Sequence, residues 1–174
     1  VSATVRPCAL PDGALLSAYR HGAAFTDCYA ADVPGRVAHA RYVEAFYTTA
    51  VFKVERGLLA LLASRPATDA DATRLAEGRS DAFSAWTVEG RAPDQLLLRD
   101  LTGRTRSWLM VAPVAGGAGA TRLYFGSAVV PARRAGSGEA TLGAAFHALL
   151  GFHRLYSRVL LDAARSRLVR RRAA

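Results

Sequence analysis

The chain is short of the residues that mark the commonest chemistries. Two cysteines, Cys8 and Cys28, in 174 residues are too few for a disulfide framework or a zinc site. They are expected to be reduced, unrelated thiols of a cytoplasmic protein, although they could pair in an oxidising compartment. No apolar run approaches the ~18 uncharged residues of a membrane span. No secretory signal is read at the start of the sequence. Nucleophile elbows, Walker loops, dinucleotide fingerprints and zinc spacings are all missing. The glycine-rich GGAGA at 116–120 joins two predicted strands and does not open a helix, so it reads as a hairpin loop and not as a phosphate cradle. Four scattered histidines, His21, His39, His147 and His153, share no ligand spacing, and neither a metal nor a cofactor is expected.

Lysine is scarce as well. Lys53 is the sole lysine, and arginine supplies the rest of a formal charge of +9. About a third of the arginines lie from Arg154 onward. No aromatic residues interleave with them on that face, which argues against a nucleic-acid surface. Weak contact with an anionic membrane is the partner this arginine-rich end admits. With 51% hydrophobic and 21% charged residues, the chain is long and apolar enough to form one domain around a substantial core.

What is present is periodicity. Residues 1–13 show none and form an irregular lead-in. Ala14 to Arg20 could supply a turn or two of helix. Ala23 to Val33 reads as a strand stopped by Pro34-Gly35. From Arg36 the apolar spacing turns helical, through Val37, Ala40, Val43 and Tyr47. Thr48-Thr49 interrupts it, and Thr49 is placed to cap a second helix carrying Val51, Val54, Leu58 and Leu61 up to Arg65-Pro66. Thr68 caps a short polar helix that ends at Gly78. The segment 36–78 is thus a helical insertion.

Residues 82–131 form the sheet. Strands are expected at 82–90, 95–101, 104–113 and 120–130, joined by short turns as an antiparallel meander. With Ala23 to Val33 that makes about five, the N-terminal strand adding at one edge. Alternation puts Arg104, Arg106, Trp108 and Met110 on one side of their strand, opposite Thr105, Ser107, Leu109 and Val111. It likewise sets Leu123, Phe125 and Val129 against Arg122, Tyr124 and Val130. Which side is concave is left open, since register is not readable from one sequence.

The longest helical pattern, 141–171, carries Leu142, Phe146, Leu149, Phe152, Tyr156, Leu160 and Ala164 on one stripe. Its polar side carries His147, Arg154, Arg158 and Asp162. His153 sits within the apolar stripe, with Ser157 at its edge. The bland reading is a core histidine satisfied by hydrogen bonds; the sharp one is a polar group in a cavity. The other polar groups in apolar surroundings are Tyr47, Arg106, Trp108, Tyr124 and Tyr156. Together with His153 they are the candidate ligand-binding residues. A buried arginine such as Arg106 needs a partner, which an anionic ligand could be, unless it lies on a wet convex face.

The order of strand, helices, antiparallel meander and long final helix resembles the helix-grip fold of the START and polyketide-cyclase-like (SRPBCC) superfamily. The C-terminal half is similar to a bacterial domain family of unknown function, often found behind an NAD(P)-binding domain. The residues that carry this likeness are Trp86, Pro93, Leu96, Leu98, Arg99, Trp108, Leu109, Gly119, Thr121, Arg122, Leu123, Phe152, His153, Arg154 and Leu155. The long insertion at 36–78 and the small strand count depart from the superfamily's pattern. The resemblance implies an α+β fold in one domain, 1–174, with the meander wrapped around the C-terminal helix. It further implies a cavity between them for a small hydrophobic molecule: a lipid, a polyketide or an aromatic compound. It transfers no catalytic residue. Two other readings stand beside it. One is an enzyme of cyclase or hydrolase type using His153 as base. The other is an oligomeric protein, a homodimer included, or a membrane-peripheral one, acting through the arginine-rich helix end.

Overall fold

The computed structural model describes residues 4–22, 24–53, 67–116, 119–130 and 144–173, with the backbone alone for 144–153, 172 and 173. The expected second helix from Val54 to Pro66, and the side chains of Phe146, Leu149, Phe152 and His153, lie outside the described residues.

The architecture is α+β, an open antiparallel sheet with a C-terminal helix. The strands are β1 (Arg6–Pro7), β2 (Phe25–Val33), β3 (Ala82–Phe83), β4 (Trp86–Ala92), β5 (Gln95–Asp100), β6 (Thr105–Pro113) and β7 (Thr121–Val129), in the order β1-β2-β7-β6-β5-β4-β3. A 3-10 helix spans Leu15–Tyr19, and the α-helices are α1 (His39–Tyr47), α2 (Asp69–Ala76) and α3 (Ala144–Ala173).

The expected meander is present as β3 to β7. The N-terminal strand β2 adds at one edge of the meander, as expected, and pairs along its whole length with β7, from Phe25↔Val129 to Val33↔Thr121. Two expectations change. The edge beyond β2 is β1, two residues taken from the supposedly irregular lead-in. The strand expected at 82–90 is broken by Ser84, at φ 52°, into β3 and β4. Among the described residues, seven strands thus stand where about five were expected. At the glycine-rich loop, Val114 N–H donates to Ala120 O at 3.1 Å, closing the β6–β7 hairpin.

Local capping follows the sequence. Thr68 Oγ1 accepts from Asp71 N–H at 3.2 Å while the Asp71 carboxylate accepts from Thr68 N–H at 2.7 Å, a reciprocal capping box. Thr49 Oγ1 accepts from Phe52 N–H at 3.2 Å, so a new helical turn does begin after the break at Thr48.

Both faces of the sheet are covered. On one, α1, α2 and α3 pack against Tyr29, Ala31, Leu96, Leu98, Leu109, Leu123 and Phe125. On the other, the chain from Cys8 to Tyr19 lies over Cys28, Leu97, Trp108, Met110 and Ala128. The arginine-rich end of α3 is tied to α1: Arg167 donates to Thr48 O at 3.0 Å and Arg171 to Glu44 Oε1 at 3.0 Å. Arg154 and Arg158, nearer the start of that helix, lie over the rings of Phe25 and Tyr29 in β2.

Gly126 in β7 is where the second layer comes closest. A Cβ there would lie 2.7 Å from Leu16 Cδ2, 3.0 Å from Asp27 O and 3.0 Å from the Trp108 ring. Gly126→Ala is therefore expected to destabilise the protein by about 2 kcal/mol through overpacking. A urea midpoint that falls at unchanged slope is the check; an unchanged midpoint would contradict the close packing of the 3-10 helix on β7.

Candidate functional site

β6 and β7 pair Ser107 with Ser127, directly opposite each other on the helix-covered face. The next pair along on that face, Leu109 against Phe125, carries large side chains. Two serines at paired positions leave unfilled volume. The space is bounded by Phe46 of α1, Phe52 after it, Trp86 of β4, Phe125, and Tyr156, Ser157 and Leu160 of α3. The result is a cavity of about 140 Å³ between sheet, α1 and α3.

Its wall joins aromatic rings to small polar side chains. Phe46 lies 4.9 Å from Phe125 and 6.3 Å from Phe52, centroid to centroid. Some wall hydroxyls are already engaged. Ser107 Oγ is 3.0 Å from the Tyr47 hydroxyl. Ser127 Oγ donates to Asp27 Oδ1 at 2.6 Å, and its N–H donates to the same oxygen at 3.1 Å. Two polar atoms are not. Ser157, 1% exposed, and Trp86, 9% exposed, both line the cavity. Ser157 Oγ and Trp86 Nε1 are buried with no hydrogen-bond partner among the described residues. A buried donor left unpaired costs about 1–3 kcal/mol, and such groups in a cavity wall are the ones a bound molecule would satisfy.

The candidate residues divide between the two faces. Tyr47 and Tyr156 are on the cavity side: Tyr47 through Ser107, Tyr156 in the wall itself. Trp108 and Tyr124 project to the opposite face, away from α3, and so does the side chain of Arg106, although that residue also borders the cavity. Arg106 is neither wet nor in want of a ligand. It is 8% exposed and pairs with Glu89 at 3.0 Å. Its Nε also donates to the Tyr19 hydroxyl at 2.9 Å, and Gly103 O accepts from its Nη1. Trp108 is fully buried and donates through Nε1 to Gln95 Oε1 at 2.9 Å. Tyr124 leans on Trp108, ring centroids 6.2 Å apart. These three hold the second layer in place. The His153 side chain lies outside the described residues, and its role in the site stays an expectation.

Trp86 and the serine pair join the site from outside the expected residues. The signal was there: Ser107 shares a strand face with Leu109 and Val111, and Ser127 shares one with Leu123 and Phe125. A small polar residue on each of two adjacent apolar faces marks a gap in the packing.

Among the described residues, two titratable groups shifted by burial stand outside the cavity wall. The Tyr42 hydroxyl, buried nearby in α1, is pushed up by desolvation and donates to Tyr124 O at 3.0 Å. Burial lowers His39, whose Nε2 lies 3.4 Å from Leu109 O. Neither group lines the cavity wall. Among the described residues no group of three or more side chains is placed to hold a metal ion, and no helix is long and apolar enough to cross a membrane. No family model, no curated protein and no solved structure matches the chain.

Proposed function

We propose that the protein is a binding module for a small hydrophobic molecule, held between the sheet and the C-terminal helix. The observation that carries this is a space of about 140 Å³ lined by Trp86 and Ser157, whose buried Nε1 and Oγ have no hydrogen-bond partner among the described residues. A cavity of about 150 Å³ holds a benzene-sized guest. The size favours a single ring over a lipid or a polyketide. The indole N–H offers a donor, and the serine hydroxyl a donor or an acceptor. The guest that fits is a ring-sized apolar molecule bearing a carbonyl or similar acceptor oxygen. An antiparallel sheet with a C-terminal helix across one face is consistent with helix-grip architecture and so supports the SRPBCC resemblance. Two departures stand beside it: α1 and α2 share that face, and the opposite face is covered too.

The test compares cyclohexanone and benzaldehyde with toluene, which has similar bulk but no acceptor, by ligand-detected NMR and thermal shift. The carbonyl compounds are expected to bind more tightly than toluene. Trp86→Phe or Ser157→Ala should each cost the carbonyl guest about tenfold in affinity, one hydrogen bond's worth, and leave toluene unaffected. Without ligand, Ser157→Ala is expected to raise stability by about 1 kcal/mol, since it removes a buried hydroxyl that has no partner among the described residues. Equal weak binding of all three guests, or none, would refute the reading.

A further inference from the structure

The two cysteines are neighbours, contrary to their expected independence. Cys8 follows β1 and continues its register: Arg6 faces Ala30, Pro7 faces Tyr29, and Cys8 comes next opposite Cys28. Cys8 N–H donates to Cys28 O at 3.0 Å, and the two Sγ atoms lie 3.3 Å apart. Directly opposed residues of an antiparallel pair have Cα atoms about 4.5–5.5 Å apart, within the span a disulfide bridges. Bond formation asks the sulfurs to close to about 2.05 Å and asks nothing of the strands.

The surroundings make the pair asymmetric. Cys8 is half-buried and Cys28 buried. The Cys28 thiol donating to its sulfur, with the charges of Arg6 and Arg122, holds the Cys8 thiol below its ordinary range against the effect of burial. Cys28 is held high, first by Cys8 and then by burial. Both cysteines line a groove at the sheet edge, together with Phe25, Asp27, Arg154 and Arg158. Arg154 and Arg158 suit an anionic visitor to that groove, and a partly exposed thiol near cations, as Cys8 is to Arg6 and Arg122, is the reactive kind.

We propose that Cys8 and Cys28 are a reversible dithiol–disulfide pair, oxidised by exchange with a small anionic disulfide of the glutathione class. The Cys8 thiolate attacks one sulfur of the small disulfide. That S–S bond breaks, and one small thiolate leaves and is protonated by solvent. With Cys8 capped, the thiolate that opposed ionisation of Cys28 is gone. Cys28 gives its proton to water and attacks Cys8 Sγ, expelling the second small thiolate. Two electrons and two protons pass from the protein to the small disulfide, which ends as two thiols. The new bond fastens β1 to β2, and with it the chain from Cys8 to Tyr19 that covers Trp108. The pair lies just after β1 and on β2, apart from the cavity and independent of what that cavity binds.

The test equilibrates fully reduced protein with oxidised and reduced glutathione over a range of ratios, followed by intact mass and peptide mapping. The wild type is expected to lose about 2 Da and to yield a peptide pair linked through Cys8 and Cys28. Cys28→Ser should instead trap a glutathione adduct on Cys8, about 305 Da heavier. Cys8→Ser should stay unmodified, its remaining thiol being buried. Cys28→Ala repeats the trap if Cys28→Ser does not fold. Closing the loop should raise the melting temperature by about 5–10 °C. Two free thiols at every ratio, or a Cys8→Ser variant that reacts as fast as Cys28→Ser, would overturn the proposal.

Discussion

Trp108→Ala is expected to cost about 4 kcal/mol, a fall in melting temperature of roughly 12 °C for a domain of this size. Trp108 is fully buried at the centre of the second layer, among Leu16, Leu97, Met110 and Tyr124. Its indole N–H donates to Gln95 Oε1, the same oxygen that accepts from Leu15 N–H at 2.9 Å. Gln95 Nε2 in turn donates to Gly13 O at 3.0 Å. One tryptophan therefore supports both the apolar packing and the polar contacts that fix the 3-10 helix over the sheet. Truncation opens a cavity and loosens that network together. Trp108→Phe keeps most of the ring and loses the donor, so about 1–2 kcal/mol is expected. The series separates two roles. As a packing residue on the face opposite the cavity, Trp108 should alter stability and leave the affinity of Trp108→Phe for a cyclohexanone-like guest unchanged. A tenfold weaker affinity with intact stability would put Trp108 at the ligand after all. Denaturant titration and ligand titration on the same two variants decide it.

That residue also shows what the sequence conveys and what it hides. Strands, turns and caps are legible because they depend on near neighbours. Thr68 with Asp71, Thr49 with Phe52, and Pro34-Gly35 after β2 each act within a few residues. Alternation correctly parted Arg106, Trp108 and Met110 from Ser107, Leu109 and Val111. It could not say which set meets the helices, because both faces of β6 are apolar and a strand buried on both sides carries no polar face to orient it. The second layer went unread for a related reason. Leu10, Leu15 and Leu16 lie in a stretch rich in proline and glycine, with no period to mark it as part of a core. The site failed to show for the opposite reason. Large and titratable side chains draw the eye, yet this cavity exists because Ser107, Ser127 and Ser157 are small. Residue type selects what can bind; unfilled volume selects where, and volume depends on register.

Asp32→Asn is expected to cost about 3 kcal/mol at pH 7, an effect that should fade in acid. Asp32 of β2 is 5% exposed and faces Arg122 of β7 across the strand pair. Its carboxylate accepts from Arg122 Nε at 2.7 Å and Nη2 at 3.0 Å, with Arg6 Nη2 at 3.5 Å. Arg122 thus joins β2 to β7 and Arg6 joins β1 to β2, so a single carboxylate fastens three strands. An amide in its place cannot accept a paired guanidinium contact and leaves two cations facing each other, a situation that costs about 3–5 kcal/mol in a fully buried pair and less here because both arginines reach solvent. The hydrogen bonds from Arg122 hold the carboxyl below the usual range against the opposing effect of burial, and Arg6 adds to the lowering. A carboxyl lowered by folding contributes stability that is fully present above its unfolded pKa of about 4 and is lost as pH falls through the folded value. Asp71 is lowered as well, chiefly by the Thr68 hydroxyl, but it is common to both proteins and cancels in their difference. The stability gap between wild type and Asp32→Asn should therefore be constant from pH 7 to about 5 and narrow steadily below about 4. Urea titrations of both proteins at each pH measure it. A gap that stays constant to pH 2 would mean that the carboxylate's charge contributes nothing, and that the contacts of Asp32 stabilise these strands by shape alone.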